Sequence, residues 1–167
     1  AYNADRFIED TLHSIVQQTY KELDIVIVDD GSTDSTYEIC EKWAASHDKI
    51  RLLTHENRRN KGVSYTRKLG VDNALGDFIA FCDADDIMLP EKIGTQVEAF
   101  NRNEEVVLVH TGLSVFGVNR EFCEDFETGM TLGENECKYD LQKQKYCFTH
   151  NMILNSTVMV RTEHIRK

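Results

Sequence analysis

The feature that most restricts the fold of this chain is a pair of short, unbroken apolar runs that each end in carboxylates. Residues 24–28 form a β-branched run that leads into Asp-Asp-Gly-Ser at 29–32. Residues 78–82 form a second run that leads into Asp-Ala-Asp-Asp at 83–86. Apolar runs without polar alternation are typical of strands buried on both faces of a parallel sheet. The two runs therefore predict buried strands with acidic carboxyl ends.

Amphipathic segments alternate with these strands. The helical patterns cover residues 5–18, 35–45, 62–74 and a segment that starts at Pro90, and further strand patterns cover residues 50–53, 106–110, 113–118 and 156–160. Residues 119–140 lose this periodicity and are expected to form a loop or short-helix insertion. Strands that alternate with helices predict an α/β fold, with a mostly parallel, Rossmann-like sheet flanked by helices.

The acidic segment at 83–86 is the strongest candidate site. Ligands of open α/β sheets bind beyond the carboxyl ends of the strands, where this segment falls. Three carboxylates within four residues repel one another unless a cation or hydrogen-bond donors offset the repulsion. Mg²⁺ and Mn²⁺ accept carboxylate oxygens together with substrate phosphates. Asp83 and Asp85 are therefore predicted to bind a metal or a nucleotide, and the alternative is an acidic turn that caps the next helix, a role that suits Asp86.

The earlier acidic segment offers a second candidate. Asp30 at a strand end can accept hydrogen bonds from the ring N–H of a base or from ribose hydroxyls. Gly31 permits a tight turn behind it. The alternative is a plain strand-to-helix turn in which aspartate serves only as a cap.

A basic island stands out in a chain whose formal net charge is −10. Between residues 57 and 71 there is no acidic residue and there are five basic ones, namely Arg58, Arg59, Lys61, Arg67 and Lys68. The island opens a predicted helix, and helix N-termini favour anions. Lys61 is therefore predicted to contact a diphosphate, with Arg67 as a second contact. The alternative is a solvated basic face.

Charge and composition exclude several classes of protein. A net charge of −10 argues against general nucleic-acid binding, which requires a basic face. No apolar run reaches the length of a membrane span, and residues 1–6 lack a signal-peptide pattern. The five cysteines have no CxxC spacing, which predicts reduced thiols in a cytoplasmic protein and no structural zinc. The six histidines have no metal-ligand spacing and are assigned no role.

Several of these segments together resemble the family 2 glycosyltransferases, which have the GT-A fold. The resemblance rests on Ala-Tyr-Asn at 1–3, Gln-Thr-Tyr at 18–20, Val-Asp-Asp-Gly-Ser-Thr-Asp at 28–34, Lys-Gly-Val-Ser at 61–64, Asp-Ala-Asp-Asp at 83–86 with Pro-Glu-Lys at 90–92, and Ser-Thr-Val-Met-Val-Arg at 156–161. The order of the motifs is specific for the family, whereas it carries little information about the sugar.

The resemblance implies an inverting transfer from a nucleoside-diphosphate sugar, often a UDP-sugar, to a hydroxyl of a carbohydrate or glycolipid acceptor. Such reactions belong to polysaccharide or glycoconjugate synthesis, and the implied cofactor is Mn²⁺ or Mg²⁺. In the family, the aspartate that matches Asp30 contacts the base, and the aromatic residue that matches Tyr2 lies near the base. In some members, a basic residue that matches Lys61 lies near the phosphates. The residue that matches Asp83 approaches the ribose and sometimes the metal, and the residue that matches Asp85 binds the metal.

The resemblance also predicts that residues 1–167 are one GT-A domain truncated at both ends. Family members carry a strand before the Ala-Tyr-Asn triplet, and its loss is expected to leave a sheet edge open to self-association. They carry an acidic general base, usually in a Glu-Asp pair, beyond the strand that ends near Arg161, so the base is expected beyond Lys167. We expect this stretch alone to bind nucleotide weakly and turn over poorly. Peripheral association with the inner face of the membrane would use the missing segments.

Two other readings remain at this point. One is a module that binds a nucleotide sugar without catalysis. The other is a haloacid-dehalogenase-like phosphatase, in which Asp83 would be the nucleophile and Asp85 the acid/base. That motif usually lies on the first strand and has Thr or Val two places after the second aspartate, where this chain has Ile87.

Overall fold

A computed structural model describes residues 1–113 and 154–166 of the chain. Along this part, strands and helices alternate as the sequence predicts. The helices are α1 Ile8–Val16, α2 Thr36–Ser46, α3 Val63–Asn73, α4 Lys92–Arg102 and α5 Thr162–Ile165, with 3-10 turns at Glu56–Arg58 and Asn155–Thr157, and the strands are β1 Ile25–Asp29, β2 Ile50–Thr54, β3 Phe78–Ala80, β4 Leu108–His110 and β5 Val158–Arg161. The predicted strand at 113–118 and insertion at 119–140 lie, apart from Leu113, outside the described residues.

The strands pair in two groups. β1 and β2 are parallel, in a register that runs from Ile25 opposite Ile50 to Asp29 opposite Thr54. β5 lies between β3 and β4 and is antiparallel to both, so β3 and β4 run in the same direction. An antiparallel strand within an otherwise parallel arrangement is common in α/β folds. The α/β prediction is confirmed, and the direction of β5 is a feature that its apolar pattern could not reveal.

The core lies between the helices and these strands. One cluster joins α1 and α2 to β1 and β2, and Leu12 and Trp43 are among its buried members. A second cluster packs α4 against β5 through Phe100 and Met159, which are 0% and 2% exposed. The predicted apolar stripe of α4 is confirmed as buried. Burial of each large apolar side chain contributes about 1.5–3 kcal/mol to the stability of the fold.

The first residue pairs with the free edge of β1. The Ala1 amino group donates to the Val28 carbonyl at 2.6 Å, and the Asp30 N–H donates to the Ala1 carbonyl at 2.8 Å. This alternation is the pattern of a parallel ladder. In residues 1–113 and 154–166, no strand pairs with that edge of β1. Self-association through it stays a prediction, as does a single truncated domain.

Of the helices within the described ranges, none is both long and apolar enough to cross a bilayer.

Candidate nucleotide and metal site

The turn after β1 is built on Asp29. Its side chain is fully buried, and Oδ2 accepts hydrogen bonds from the N–H groups of Gly31 at 3.1 Å and Ser32 at 3.2 Å. Oδ1 has no hydrogen-bond partner among the described residues. Asp29 therefore has the role of a turn cap, which leaves Asp30 as the carboxylate available for other partners.

Asp30 joins the end of β1 to the start of α3. It is 4% exposed, and its Oδ1 and Oδ2 accept the backbone N–H groups of Lys61 at 2.7 Å and Gly62 at 3.0 Å. The predicted nucleotide contact thus lies at the N-terminus of the helix that carries the basic island. Backbone donors at a helix N-terminus also favour a bound anion. The diphosphate predicted at Lys61 and the nucleotide contact predicted at Asp30 would therefore lie beside the same helix N-terminus.

His55 also contacts Asp30, although the sequence assigned the histidines no role. Its Nε2 lies 3.4 Å from Asp30 Oδ1 and 3.0 Å from Thr66 Oγ1, and its side chain is 12% exposed. His55 follows the last residue of β2, at the same edge of the sheet as Asp30. The sequence feature that could have revealed His55 is its position directly after a strand, rather than its spacing from other histidines.

Gly31 lets the segment before α3 lie against this turn. Its φ is +74°, and a Cβ there would come within 2.5 Å of the Arg58 carbonyl oxygen and 2.8 Å of the Asn60 nitrogen. The Arg58 guanidinium stacks 3.6 Å from the ring centroid of Tyr37 on α2. Asn57 and Arg58 themselves have positive φ, which non-glycine residues seldom adopt. Only a glycine at position 31 permits this backbone approach.

The basic side chains of the island separate in the structure. Lys61 is exposed and makes no salt bridge to any residue in 1–113 or 154–166. Arg67 on α3 donates from Nη2 to Asp83 Oδ1 at 2.9 Å. Both partners of this pair are partly exposed, at 39% and 44%. Arg67 therefore lies at the second acidic segment, whereas the diphosphate role predicted for it remains untested.

Asp83 is held from two sides. Besides Arg67, Asn155 donates to its Oδ1 at 3.3 Å, and its own N–H donates to Ser156 Oγ at 2.9 Å. Asp85 is exposed and follows in a turn that the Asp86 N–H closes on the Asp83 carbonyl at 3.2 Å. The structure thus orients Asp83 and leaves Asp85 facing solvent.

Three buried polar residues, two on α1 and one just after it, hold the loop that contains Asp85. Thr11 Oγ1 donates to the Ala84 carbonyl at 3.0 Å, and the Met88 N–H donates to Ser14 Oγ at 3.1 Å. Gln18 Nε2 donates to the Leu89 carbonyl at 2.8 Å, and Gln18 is 0% exposed. The sequence analysis missed this role. The sequence feature that could have revealed it is the spacing of residues 11, 14 and 18, which would put three polar side chains on one face of the helix predicted over residues 5–18.

Tyr2 lies next to the first turn. The Thr33 N–H donates to Asn3 Oδ1 at 2.8 Å, and the Asn3 N–H donates to Ser32 Oγ at 3.1 Å. These bonds place the triplet at 1–3 over the turn that follows β1. Tyr2 itself is 50% exposed and makes its ring available to a ligand there.

Cys82, directly before Asp83, has a neutral thiol. Burial raises its pKa to about 12, with a further contribution from the Asp86 carboxylate. Its thiol donates to the Asp86 carbonyl at 3.8 Å. A thiol with so high a pKa is a poor nucleophile at neutral pH. Cys82 therefore supports the loop and does not serve as the reactive group of the site.

The acidic segment suits a metal that is shared with a substrate. Within the described ranges, no three His, Cys, Asp or Glu side chains gather closely enough to hold a metal by themselves. Mg²⁺ is usually bound through one or two carboxylates plus phosphate oxygens and water. Exposed Asp85 and the Oδ2 atom of Asp83 fit that second arrangement, because both offer hard oxygen donors.

The α/β fold matches that of GT-A glycosyltransferases of known structure. The family model described as Glycosyl transferase family 2 matches residues 1–166. The chain therefore belongs to glycosyl transferase family 2. The match includes both acidic segments, so it excludes the phosphatase interpretation of Asp83 and Asp85.

A curated relative agrees with the family assignment, and two solved structures agree with the fold. Putative glycosyltransferase EpsE of Bacillus subtilis is 34% identical over 116 residues, which are 69% of this chain and 41% of EpsE. The structure of S. aureus TarS 1-349 in complex with UDP-GlcNAc has a TM-score of 0.74 at 22% identity, over 99% of this chain and 44% of that one. The mannosyltransferase PcManGT of Pyrobaculum calidifontis, in complex with GDP-Man and Mn²⁺, has a TM-score of 0.62 at 24% identity over 69% of this chain and 34% of that one. The chain thus spans less than half the length of these three relatives.

Proposed function

We propose that the protein transfers a sugar, with inversion, from a UDP-sugar to a hydroxyl of a carbohydrate or glycolipid acceptor. The observation that carries this proposal is the way α3 links two acidic strand ends. The N–H groups of the two residues directly before it contact Asp30, and Arg67, in its second turn, contacts Asp83. A nucleoside diphosphate has a base, a ribose and two phosphates, and it needs groups of this kind along one continuous surface.

Each predicted residue has a place on that surface. Asp30 accepts an N–H of the base, and the exposed ring of Tyr2 stacks on it. The N-terminus of α3 and the Lys61 ammonium face the diphosphate, where both favour negative charge. Asp83, oriented by Arg67 and Asn155, accepts a hydrogen bond from a ribose hydroxyl.

A divalent cation is proposed at Asp85, with Asp83 as its second carboxylate. When bound, Mn²⁺ or Mg²⁺ neutralises charge that develops on the departing diphosphate. Asp85 extends into solvent from a loop that α1 holds in place, so its carboxylate is presented with little rearrangement. The general base that takes the proton of the acceptor hydroxyl stays a prediction.

Two of the solved relatives support a nucleoside-diphosphate donor. The TarS structure contains UDP-GlcNAc, and the PcManGT structure contains GDP-Man with Mn²⁺. A carboxylate such as Asp30 can accept the ring N–H of uracil or of guanine. We favour UDP because the TarS structure that contains UDP-GlcNAc covers 99% of this chain, whereas the one with GDP-Man covers 69%. A role in polysaccharide or glycoconjugate synthesis in the cytoplasm, at the inner face of the membrane, is part of this proposal.

The proposal is tested by nucleotide binding followed by turnover. Thermal shift of the intact protein with UDP, GDP, CDP and ADP, each with and without Mn²⁺, should show the largest rise in Tm for UDP with Mn²⁺. A panel of UDP-sugars with candidate acceptors should then release UDP, and NMR of the product should show an inverted anomeric centre. No Tm rise with any nucleotide would contradict the proposal. Binding without UDP release from any donor and acceptor would favour the non-catalytic module.

A further inference from the structure

His55 is a nearly buried imidazole beside the one carboxylate proposed to recognise the base. Its Nε2 lies between two oxygens, Asp30 Oδ1 at 3.4 Å and Thr66 Oγ1 at 3.0 Å. A nitrogen lone pair directed at a carboxylate oxygen would be repelled, whereas an N–H at the same place is attracted. The surroundings therefore select the tautomer that carries its proton on Nε2.

The donors around Asp30 leave little of its hydrogen-bonding capacity free. A carboxylate offers about four lone-pair sites and cannot donate. The N–H of Lys61 donates to Oδ1 and that of Gly62 donates to Oδ2, and the His55 imidazole covers Oδ1 with its Nε2 atom 3.4 Å away. With Oδ1 covered, the acceptor capacity that is left for a ligand lies on the Oδ2 side. Because two backbone donors and the packed imidazole hold the carboxylate, this site has one direction.

We propose that His55 is a positioning residue that makes Asp30 selective for a base with a ring N–H. Uracil presents such a donor at N3, whereas cytosine presents a lone pair at the same ring position. A fixed acceptor binds the first and repels the second. Without His55, the carboxylate has room to rotate and can turn away from the unfavourable lone pair. The inference rests on the proposed nucleotide function, and it adds the group that sets the choice of base.

Two amide variants of the intact protein distinguish this role from simple packing. The side-chain nitrogen of Gln can take the place of His Nε2, whereas that of Asn reaches only the place of Nδ1. Affinities for UDP and CDP are measured by calorimetry in the presence of Mn²⁺. Wild type and His55→Gln should both prefer UDP by about tenfold or more, a difference expected when one charged hydrogen bond is gained or lost. His55→Asn should lose most of this preference, chiefly through weaker UDP binding.

His47→Ala is a matched control, because it removes another packed imidazole. His47 stacks on Trp43 with 4.8 Å between ring centroids and does not touch Asp30. It should lower Tm without a change in the ratio of CDP to UDP affinity. Equal ratios in wild type, His55→Asn and His55→Gln would overturn the inference, and so would equal losses in both variants.

A measurement on wild type alone serves where a variant does not fold. Nitrogen-15 NMR of the histidine rings should show His55 protonated at Nε2, with a chemical shift that moves when UDP is added. Protonation at Nδ1 alone would overturn the inference. If wild type binds UDP and CDP equally well, the inference is wrong, but the proposed sugar transfer is not contradicted. No nucleotide binding at all would overturn both.

Discussion

The guanidinium of Arg67 donates to Oδ1 of Asp83 at 2.9 Å, across two segments that the chain separates by 16 residues. This contact determines the orientation of the first carboxylate of the acidic segment. It also means that α3 holds both strand ends, since its N-terminus contacts Asp30. A change at Arg67 should therefore affect ligand binding more than folding.

Arg67→Met is expected to weaken UDP-sugar binding about tenfold or more, because Asp83 loses the donor that orients it. The pair is more than a third exposed on both sides, so its loss should change the free energy of unfolding by less than about 1 kcal/mol. Lys68→Met is the matched control. Lys68 pairs with Asp72 on the same helix, and its loss should leave the Kd unchanged. Calorimetry and urea melts measure the two quantities, and equal Kd values for both variants would contradict the prediction.

Asp85→Asn should abolish the effect of Mn²⁺ on UDP affinity, since an amide lacks the charge of the proposed metal ligand. UDP affinity without metal should change little. Asp86→Asn is the control on the neighbouring exposed side chain, and it should keep the Mn²⁺ effect. The measurement is the Kd of UDP with Mn²⁺ and with a chelator. A Mn²⁺ effect that survives in Asp85→Asn, or disappears in both variants, counts against the assignment.

Gly31→Ala should lower the free energy of unfolding by about 2 kcal/mol or more, because a Cβ meets backbone atoms and the φ is positive. Gly70→Ala is the comparison, since Gly70 lies inside α3 and its Cβ would make an ordinary 3.5 Å contact with Val28. That variant should be neutral or more stable by up to about 1 kcal/mol. Urea denaturation gives both values, and a Gly31→Ala protein as stable as wild type would show that the close backbone approach is wrong.

Gln18→Leu should destabilise the protein by about 2 kcal/mol or more, because the Leu89 carbonyl and the Ile93 N–H lose a buried partner. Gln17→Leu is the control, as Gln17 directly precedes Gln18 and is exposed. The loop from Asp83 to Pro90 should become easier to cleave in the first variant alone. Limited proteolysis with peptide identification tests this, and equal cleavage in the two variants would contradict it.

Stability should fall at alkaline pH through Cys40 and Cys82. Burial raises the pKa of these thiols from 9.0 to about 11 and about 12, so the unfolded chain ionises first. Their contribution is therefore full below pH 9 and is lost as pH rises toward those values. Each thiol lowers the free energy of unfolding by up to about 1.4 kcal/mol per pH unit there. Lys92 acts in the opposite direction, because burial lowers the pKa of its ammonium, and it offsets part of the loss.

Urea melts between pH 8 and pH 10.5 measure this slope. Cys40→Ala with Cys82→Ala should flatten it, since the shifted thiols are then absent. Because both thiols stay neutral, they should also resist alkylation at pH 8 in the folded protein and react in denaturant. A slope that is the same with and without these cysteines would contradict the prediction.

Much of the fold could be predicted from local pattern. The β-branched run before Asp29 and the helical stripe that ends at Phe100 are both where the sequence predicts them. Such patterns repeat along the chain and report burial directly, so no long-range information is needed. The position of Asp30 at the end of a strand also followed from general rules, whereas its contact with the N-terminus of α3 did not.

The amino-acid sequence by itself determined the α/β alternation, the acidic strand ends and the family. Only the tertiary structure decided which groups surround each carboxylate. The partners of Asp30 are two backbone N–H groups and His55, and those of Asp83 are Arg67 and Asn155, up to 72 residues away. Backbone donors are the same for nearly every residue type, so a sequence does not mark which ones meet a carboxylate. Their identity is fixed only when the core brings the strand ends, α1 and α3 together.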